Sequence, residues 1–196
     1  MAKHLIDGLE ERGIERVFLR TNTKDGSAKL IAIKIDSWRF HPTDSTVDVA
    51  AVRLVLSNEF DFMQVPITMA ATPDIVLENA IGIGDEVFIA GLFHKHSGTL
   101  RNIPIIRVGS IAAIREERIP TKRFGLIDAY LIEARSIGGI SGSPVFAYCG
   151  HERIVNRQLI TPRGTFWLLG LIHGHFDIKQ SLVDYLTKIV PSKNER

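Results

Sequence analysis

The chain has 196 residues, of which 45% are hydrophobic and 23% are charged, proportions that are ordinary for a globular protein. Its 24 Lys and Arg residues nearly balance its 22 Asp and Glu residues, so nucleic-acid binding is not expected. No apolar run reaches the roughly 18 residues that a membrane span requires, so no membrane association is expected, and the single cysteine, Cys149, excludes an internal disulfide.

The first predicted element is a short helix in KHLIDGLEERG. Leu5, Ile6 and Leu9 recur on one helical face, and Gly13 is a suitable residue to end the helix. Because the segment MAKHLIDGLEERG contains no long apolar stretch, we expect that it is not a signal peptide and that the location is cytoplasmic.

Strand signals dominate the rest of the chain. Short segments rich in Val and Ile are bounded by Gly, Pro, Asn or Asp. They are RVFLRT, AKLIAIKI, VDVAAVRLVL, DEVFIAGL, IPIIRVGSIAAI, AYLIEA, SPVFAY, RIVNRQLI and FWLLGLIHG. The Asp25–Gly26 pair predicts a hairpin turn between the first two segments. Many short strands with few helical patterns between them predict an all-β barrel or sandwich.

The segment FMQVPITMAATPDIVLENAIGIG is weakly periodic and is interpreted as a long connection. It would join two halves, residues 1–70 and residues 80–196. The terminal segment SLVDYLTKIVPSKNER is compatible with a helix or with a strand that ends at Pro191.

The most informative stretch is SIGGISGSPVF, which places Ser141 between glycines and just before Pro144. One interpretation is a Gly-Ser turn between strands. The other is a nucleophilic serine, which needs an exposed hydroxyl at a sharp bend and backbone N–H groups that converge on a developing oxyanion. Glycine permits the backbone angles that aim such donors.

A nucleophilic serine also needs a base, and a base needs an orienting carboxylate. His4 stands at the start of the predicted helix, where the alternative is a frayed terminal residue. Asp48 stands in an apolar predicted strand, where an unpaired buried carboxylate would be costly and the alternative is a solvent-facing position.

Three pieces together resemble the trypsin-like (chymotrypsin-fold) serine peptidases, especially their bacterial cytosolic and HtrA-like branches. They are Met1-Ala2-Lys3-His4, Asp48-Val49-Ala50-Ala51-Val52 and Gly139-Ile140-Ser141-Gly142-Ser143-Pro144, in the family's order of His, Asp and Ser. GIGDEVFIAGL, IPIIRVGSIAAI and LLGLIHGHF resemble further strands of that family, so the resemblance extends over nearly the whole chain.

The resemblance implies a double β-barrel in which residues 1–70 carry the His and Asp, and residues 80–196 carry the nucleophile and the specificity pocket. Ser141 would be the nucleophile of a serine endopeptidase, His4 its general base and Asp48 the residue that orients His4. The oxyanion hole would comprise the N–H groups of Gly139 and Ser141. Four residues would line the substrate site: Ile172, His173, Gly174 and His175.

The sequence departs from the family at its beginning, because the family has two strands before the histidine helix. We therefore expect a first barrel that lacks its opening strands. This expectation leaves a second function open, namely a protease-like module that binds peptides or proteins without cleaving them. The partner of a serine endopeptidase would be a polypeptide substrate. The oligomeric state is not predicted.

Two His-x-His pairs, His94 with His96 and His173 with His175, raise the possibility of a metal site. A zinc site needs three or four ligands, and no Cys or acidic partner is obvious. We expect neither a metal nor a cofactor.

Overall fold

Strands make up most of the regular structure in the computed structural model, which describes residues 1–92, 96–121, 124–134, 140–155 and 157–174. The described helices are α1 (Lys3–Glu10) and α2 (Pro73–Glu78), with short 3-10 turns at Ile35–Ser37 and Ile67–Met69. The strands are β1 (Arg16–Asn22), β2 (Ala28–Lys34), β3 (Arg39–Phe40), β4 (Ala50–Ala51), β5 (Glu86–Leu92), β6 (Pro104–Ala113), β7 (Ile119–Thr121), β8 (Gly125–Ile127), β9 (Leu131–Ala134), β10 (Pro144–Tyr148), β11 (Arg153–Val155), β12 (Gln158–Ile160) and β13 (Phe166–Leu171). The prediction of an all-β fold class is confirmed, since strands dominate and the described helices are few and short.

The predicted N-terminal helix is confirmed as α1. Ile6 is fully buried and packs with Ile35 and Ala50, whereas Leu5 is 40% exposed and does not share the buried face that the sequence predicted for it. Gly13 follows the helix with φ of +70°, a left-handed conformation that glycine adopts without strain.

The predicted hairpin is also confirmed. β1 and β2 pair antiparallel from Arg16↔Lys34 to Asn22↔Ala28, and Gly26 in the connecting turn has φ of +87°. The Asp25 carboxylate accepts hydrogen bonds from the hydroxyl of Thr23 and from the backbone N–H of Ser27, at 2.6 and 2.9 Å. These local bonds explain why the turn forms where the sequence predicted it.

The strand predicted over VDVAAVRLVL is mostly wrong. Only β4 forms, as a two-residue pair with β3, and the segment after Ala51 has no strand partner among the described residues. Val55 is 87% exposed there. A β-branched sequence favours an extended chain, but an extended chain becomes a strand only where a neighbour accepts its hydrogen bonds.

The largest sheet has the order β13-β10-β5-β6-β9, with every neighbouring pair antiparallel. A hydrophobic cluster on this sheet includes Val87, Ile89, Ile111, Val145, Ala147, Cys149 and Trp167. A second cluster, formed by Ile6, Ile35 and Ala50, lies in the N-terminal part of the chain. Within the described ranges the other sheets are two-stranded, and no sheet closes into a barrel.

Two further predictions need correction. The connection predicted over residues 62–84 contains helix α2, which begins after Thr72, whose hydroxyl accepts from Ile75 N–H at 3.4 Å. The segment RIVNRQLI is not one strand, because β11 pairs with β12 as a tight hairpin. The segment SLVDYLTKIVPSKNER lies outside the described residues.

None of the helices that the structure describes has the length and apolar character required to cross a membrane.

Candidate catalytic site

The centre of the site is a buried carboxylate, Asp48, whose side chain has 0% exposure. Asp48 was predicted to lie in a strand, but the strand that forms, β4, begins two residues after it. The alternative prediction, that Asp48 faces solvent, is wrong. One carboxylate oxygen, Oδ1, accepts from the backbone N–H of His4 at 2.7 Å, and the other, Oδ2, lies 2.6 Å from His4 Nδ1. His4 is therefore held by both its backbone and its ring.

The same contact explains how α1 begins. Ala2, the residue before the helix, has no side chain that accepts a hydrogen bond from the first turn. Asp48 supplies that acceptor from a distant part of the chain, since His4 is in the first turn. A carboxylate at a helix N-terminus is also favoured by the helix dipole.

The contact also fixes the hydrogen-bonding role of the His4 ring. A carboxylate only accepts, so Nδ1–H donates to Asp48 and the neutral ring has its free acceptor at Nε2. The His4 side chain is 21% exposed, which leaves part of the ring accessible. An imidazole in this tautomer is suited to remove a proton from a neighbouring hydroxyl.

The predicted nucleophile lies in a tight turn before β10. Ile140 C=O accepts from Ser143 N–H at 2.9 Å, so Ser141 and Gly142 are the central residues of the turn. Gly142 has φ of +84°, as the third position of a type II turn requires. Ser141 is exposed, whereas Ile140 before it is buried.

This turn packs against the start of α1. A Cβ added at Gly142 would lie 2.9 Å from Met1 Cα, which real Cβ atoms essentially never do, and 3.1 Å from Ala2 N, which is tighter than most real contacts. Only glycine allows this approach. The approach brings the turn that contains Ser141 to the N-terminus of α1, the helix that carries His4.

No described group accepts a hydrogen bond from the Ser141 hydroxyl, and none joins it to the His4 ring. The structure thus brings His4 and Asp48 into direct contact and Ser141 only into their vicinity. In unliganded enzymes such hydrogen bonds are often long and shorten when substrate binds.

A second histidine approaches the carboxylate. His173 Nδ1 lies 3.4 Å from Asp48 Oδ2, and the His173 side chain is 29% exposed. Its segment is tied to the serine turn, because Ile172 N–H donates to Ser143 C=O at 2.9 Å and Gly142 N–H donates to Ile172 C=O at 2.6 Å. Gly174 follows and is exposed.

Phe124 is a residue of the site that the sequence did not reveal. Its ring is T-shaped to His173 with centroids 5.0 Å apart, and it is tilted to His4 at 6.5 Å. The ring therefore lies beside both imidazoles and covers part of the pair with apolar surface. Phe124 has no local signature in the sequence, where it follows the charged segment REERIPTKR, and in the structure it lies between β7 and β8.

Some predicted site residues lie outside the described residues. These are Gly139, which was predicted to share the oxyanion hole, and His175 and His94. The backbone N–H of Ser141, the other predicted oxyanion donor, donates to no acceptor in the described part of the chain. Among the residues that the structure describes, no group of three or more His, Cys, Asp or Glu is placed to hold a metal ion.

Comparison with models of known protein families, with curated proteins and with solved structures finds no match to this chain. The arguments for function therefore come from the site itself and from the motifs in the sequence.

Proposed function

We propose that this chain is a serine endopeptidase that hydrolyses peptide bonds through an acyl-enzyme. The observation that carries the proposal is the double contact of Asp48 with His4, at 2.7 Å to the backbone N–H and 2.6 Å to the ring. It provides a buried carboxylate and an imidazole in the tautomer of a general base, and the Ser141 turn packs against the same helix.

The proposed reaction assigns one role to each residue. His4 Nε2 takes the Ser141 hydroxyl proton while Oγ attacks the peptide carbonyl carbon, which gives a tetrahedral oxyanion. The imidazolium then returns that proton to the leaving amine as the C–N bond breaks. Water hydrolyses the acyl-enzyme by the same sequence of proton transfers. The buried Asp48 carboxylate stabilises the imidazolium and holds its orientation throughout.

The proposed fold is the double β-barrel of the trypsin-like peptidases. Two observations support it: the hydrophobic clusters are separate, and the residues of the site come from segments in both parts of the chain. The first part contributes His4 and Asp48, and the second contributes the Ser141 turn and His173. In this arrangement the substrate would be a polypeptide bound along the segment after β13.

The test is labelling with a fluorescent fluorophosphonate, which reacts with activated serines. We expect the chain to be labelled and Ser141→Ala to be unlabelled. Ser143→Ala is the matched control, because it removes a hydroxyl from the same turn and should leave labelling intact. Asp48→Asn should lower the labelling rate by about a thousandfold or more, since the amide would favour the wrong tautomer of His4.

Peptide cleavage is then measured with a mixture of internally quenched peptides, with Ser141→Ala as the blank. Cleavage by the chain and not by Ser141→Ala supports an endopeptidase. Absence of labelling in a chain that is folded by circular dichroism would overturn the proposal and favour the protease-like binding module instead.

A further inference from the structure

His173 occupies a position that the proposed three-residue mechanism does not use. Its Nδ1 lies 3.4 Å from Asp48 Oδ2, the same oxygen that contacts His4 Nδ1 at 2.6 Å. One carboxylate oxygen thus faces two imidazoles from different parts of the fold, one on α1 and one after β13.

The buried Asp48 carboxylate is stabilised by polar neighbours such as His4 and His173. A carboxylate offers about four acceptor positions, and a fully buried one is costly unless they are used. The described hydrogen bonds to the Asp48 side chain come from the backbone and the ring of His4. His173 Nδ1 approaches the oxygen that contacts the His4 ring to 3.4 Å, a close contact that is not one of these hydrogen bonds.

The position of His173 is itself fixed. The residue before it, Ile172, is bonded through its N–H and C=O to the turn that carries Ser141. Phe124 packs edge-on against the His173 ring at 5.0 Å. His173 is therefore a direct connection between the serine turn and the carboxylate, in addition to the approach of Gly142 to Met1 and Ala2.

We propose that His173 is a positioning residue: its Nδ1–H faces Asp48 Oδ2 and keeps the carboxylate aligned with the His4 ring. Its kinetic consequence rests on the proposed function, because it is expressed as the reactivity of Ser141. This role differs from lining the substrate pocket, since it acts through Asp48 and His4 rather than through contact with the substrate.

Two substitutions of His173 distinguish the effect of its N–H donor from the effect of its volume. His173→Asn retains an N–H group near the position of Nδ1, whereas His173→Leu fills space without a donor. His151→Asn is the matched control, because His151 is an exposed histidine in the connection before β11.

The first readout is the rate constant for labelling of Ser141 by a small alkyl fluorophosphonate, which has no peptide side chain to occupy a specificity pocket. We expect His173→Leu to lower this rate about ten- to a hundredfold, the range for a displaced catalytic group. His173→Asn should stay within about threefold of the unsubstituted chain, and His151→Asn should not change it. Equal losses for Asn and Leu, or no loss for Leu, would overturn the inference.

The second readout does not depend on activity. A proton in a short imidazole–carboxylate hydrogen bond gives a far-downfield proton NMR resonance, which we expect for His4 Nδ1–H and assign by its loss in His4→Gln. This resonance should shift or broaden in His173→Leu and be retained in His173→Asn and His151→Asn. If Ser141 is unreactive but the resonance follows this pattern, the proposed function fails and the positioning role stands. A resonance that ignores His173→Leu would overturn the positioning role, whatever the labelling shows.

Discussion

The Asp48 carboxylate makes two different contacts with His4. Its carboxylate accepts from the first turn of α1, as a capping side chain does, and it orients the His4 ring. Because both bonds leave from one rigid group, the position of the helix and the orientation of the imidazole are coupled. A small movement of α1 would therefore rotate the proposed base as well as displace it.

The Asp25 carboxylate is hydrogen-bonded within the β1–β2 turn, so its ionisation affects the stability of the hairpin. Hydrogen bonds from Thr23 and Ser27 to its carboxylate lower the pKa from 3.8 to about 2. Since the pKa is lower in the folded chain, the stabilisation is present above about pH 4 and is lost as the pH falls toward 2.

Asp25→Asn should therefore be less stable than the unsubstituted chain at pH 6, and the difference should shrink as the pH approaches 2. Thermal unfolding followed by circular dichroism at pH 6, 4 and 2.5 measures it. Asp61→Asn is a control at another Asp, which no described side-chain hydrogen bond holds. A difference between Asp25→Asn and the unsubstituted chain that does not vary with pH would contradict the assignment.

At the same scale, the sequence predicts part of the site. His4, Asp48 and Ser141 stand in motifs that can be read locally, and the structure brings the first two into contact. The contact of His173 with Asp48 and the position of Phe124 depend on how distant segments pack, and no local pattern encodes that. A resemblance to a family also transfers residue roles only where a motif matches, and Phe124 belongs to none.

At the scale of elements, a polar network joins α2 to the β11–β12 hairpin. Asn79, at the end of α2, is fully buried, donating to Ile75 C=O at 2.8 Å and accepting from Arg163 N–H at 2.8 Å. The Arg153 guanidinium donates to Asn79 C=O at 3.0 Å and pairs with the Asp85 carboxylate. The network gives the buried side-chain amide and backbone C=O of Asn79 hydrogen-bond partners.

Asn79→Ala should lower the free energy of unfolding by about 2 kcal/mol, because it leaves Arg163 N–H without its acceptor. Urea unfolding followed by tryptophan fluorescence measures the change. Asn58→Ala is the matched control at an exposed asparagine and should change stability by less than about 0.5 kcal/mol. If the two substitutions have the same effect, the buried bonds of Asn79 contribute no more than a surface side chain.

The elements also show where sequence patterns succeed and fail. The β1–β2 hairpin is predictable because its strands are adjacent in sequence and its turn carries Asp25 and Gly26. Residues 52–56 have an equally strong strand pattern, but no neighbouring strand pairs with them in the described structure. The start of α2 carries a signal that the prediction did not use, since Thr72 and Pro73 are favoured residues at a helix start.

At the scale of the whole molecule, the site depends on contact between distant segments of the chain. The Ser141 turn and the start of α1 are far apart in sequence, and they meet at Gly142. Two properties make glycine necessary there: φ is +84°, and a Cβ would lie 2.9 Å from the backbone at Met1. The positive φ would strain any other residue locally. The short distance means that a side chain at this position would push the two segments apart.

Gly142→Ala and Gly26→Ala separate these two properties. Gly26 has nearly the same φ, +87°, but a Cβ there would have nothing within 4 Å. Gly26→Ala should therefore cost only the left-handed strain, about 1 to 2 kcal/mol. Gly142→Ala should cost about 1 to 3 kcal/mol more, because the added methyl group must displace the Met1–Ala2 backbone.

The same displacement should move His4 away from Ser141, so Gly142→Ala should also lose most fluorophosphonate labelling, whereas Gly26→Ala should retain it. Urea unfolding and the labelling rate, measured on both variants at a temperature where each is folded, give the comparison. Equal destabilisation would mean that the close approach of Gly142 to Met1 contributes nothing beyond backbone strain. Greater destabilisation with unchanged labelling would mean that the approach supports the fold but does not set the distance between the proposed base and nucleophile.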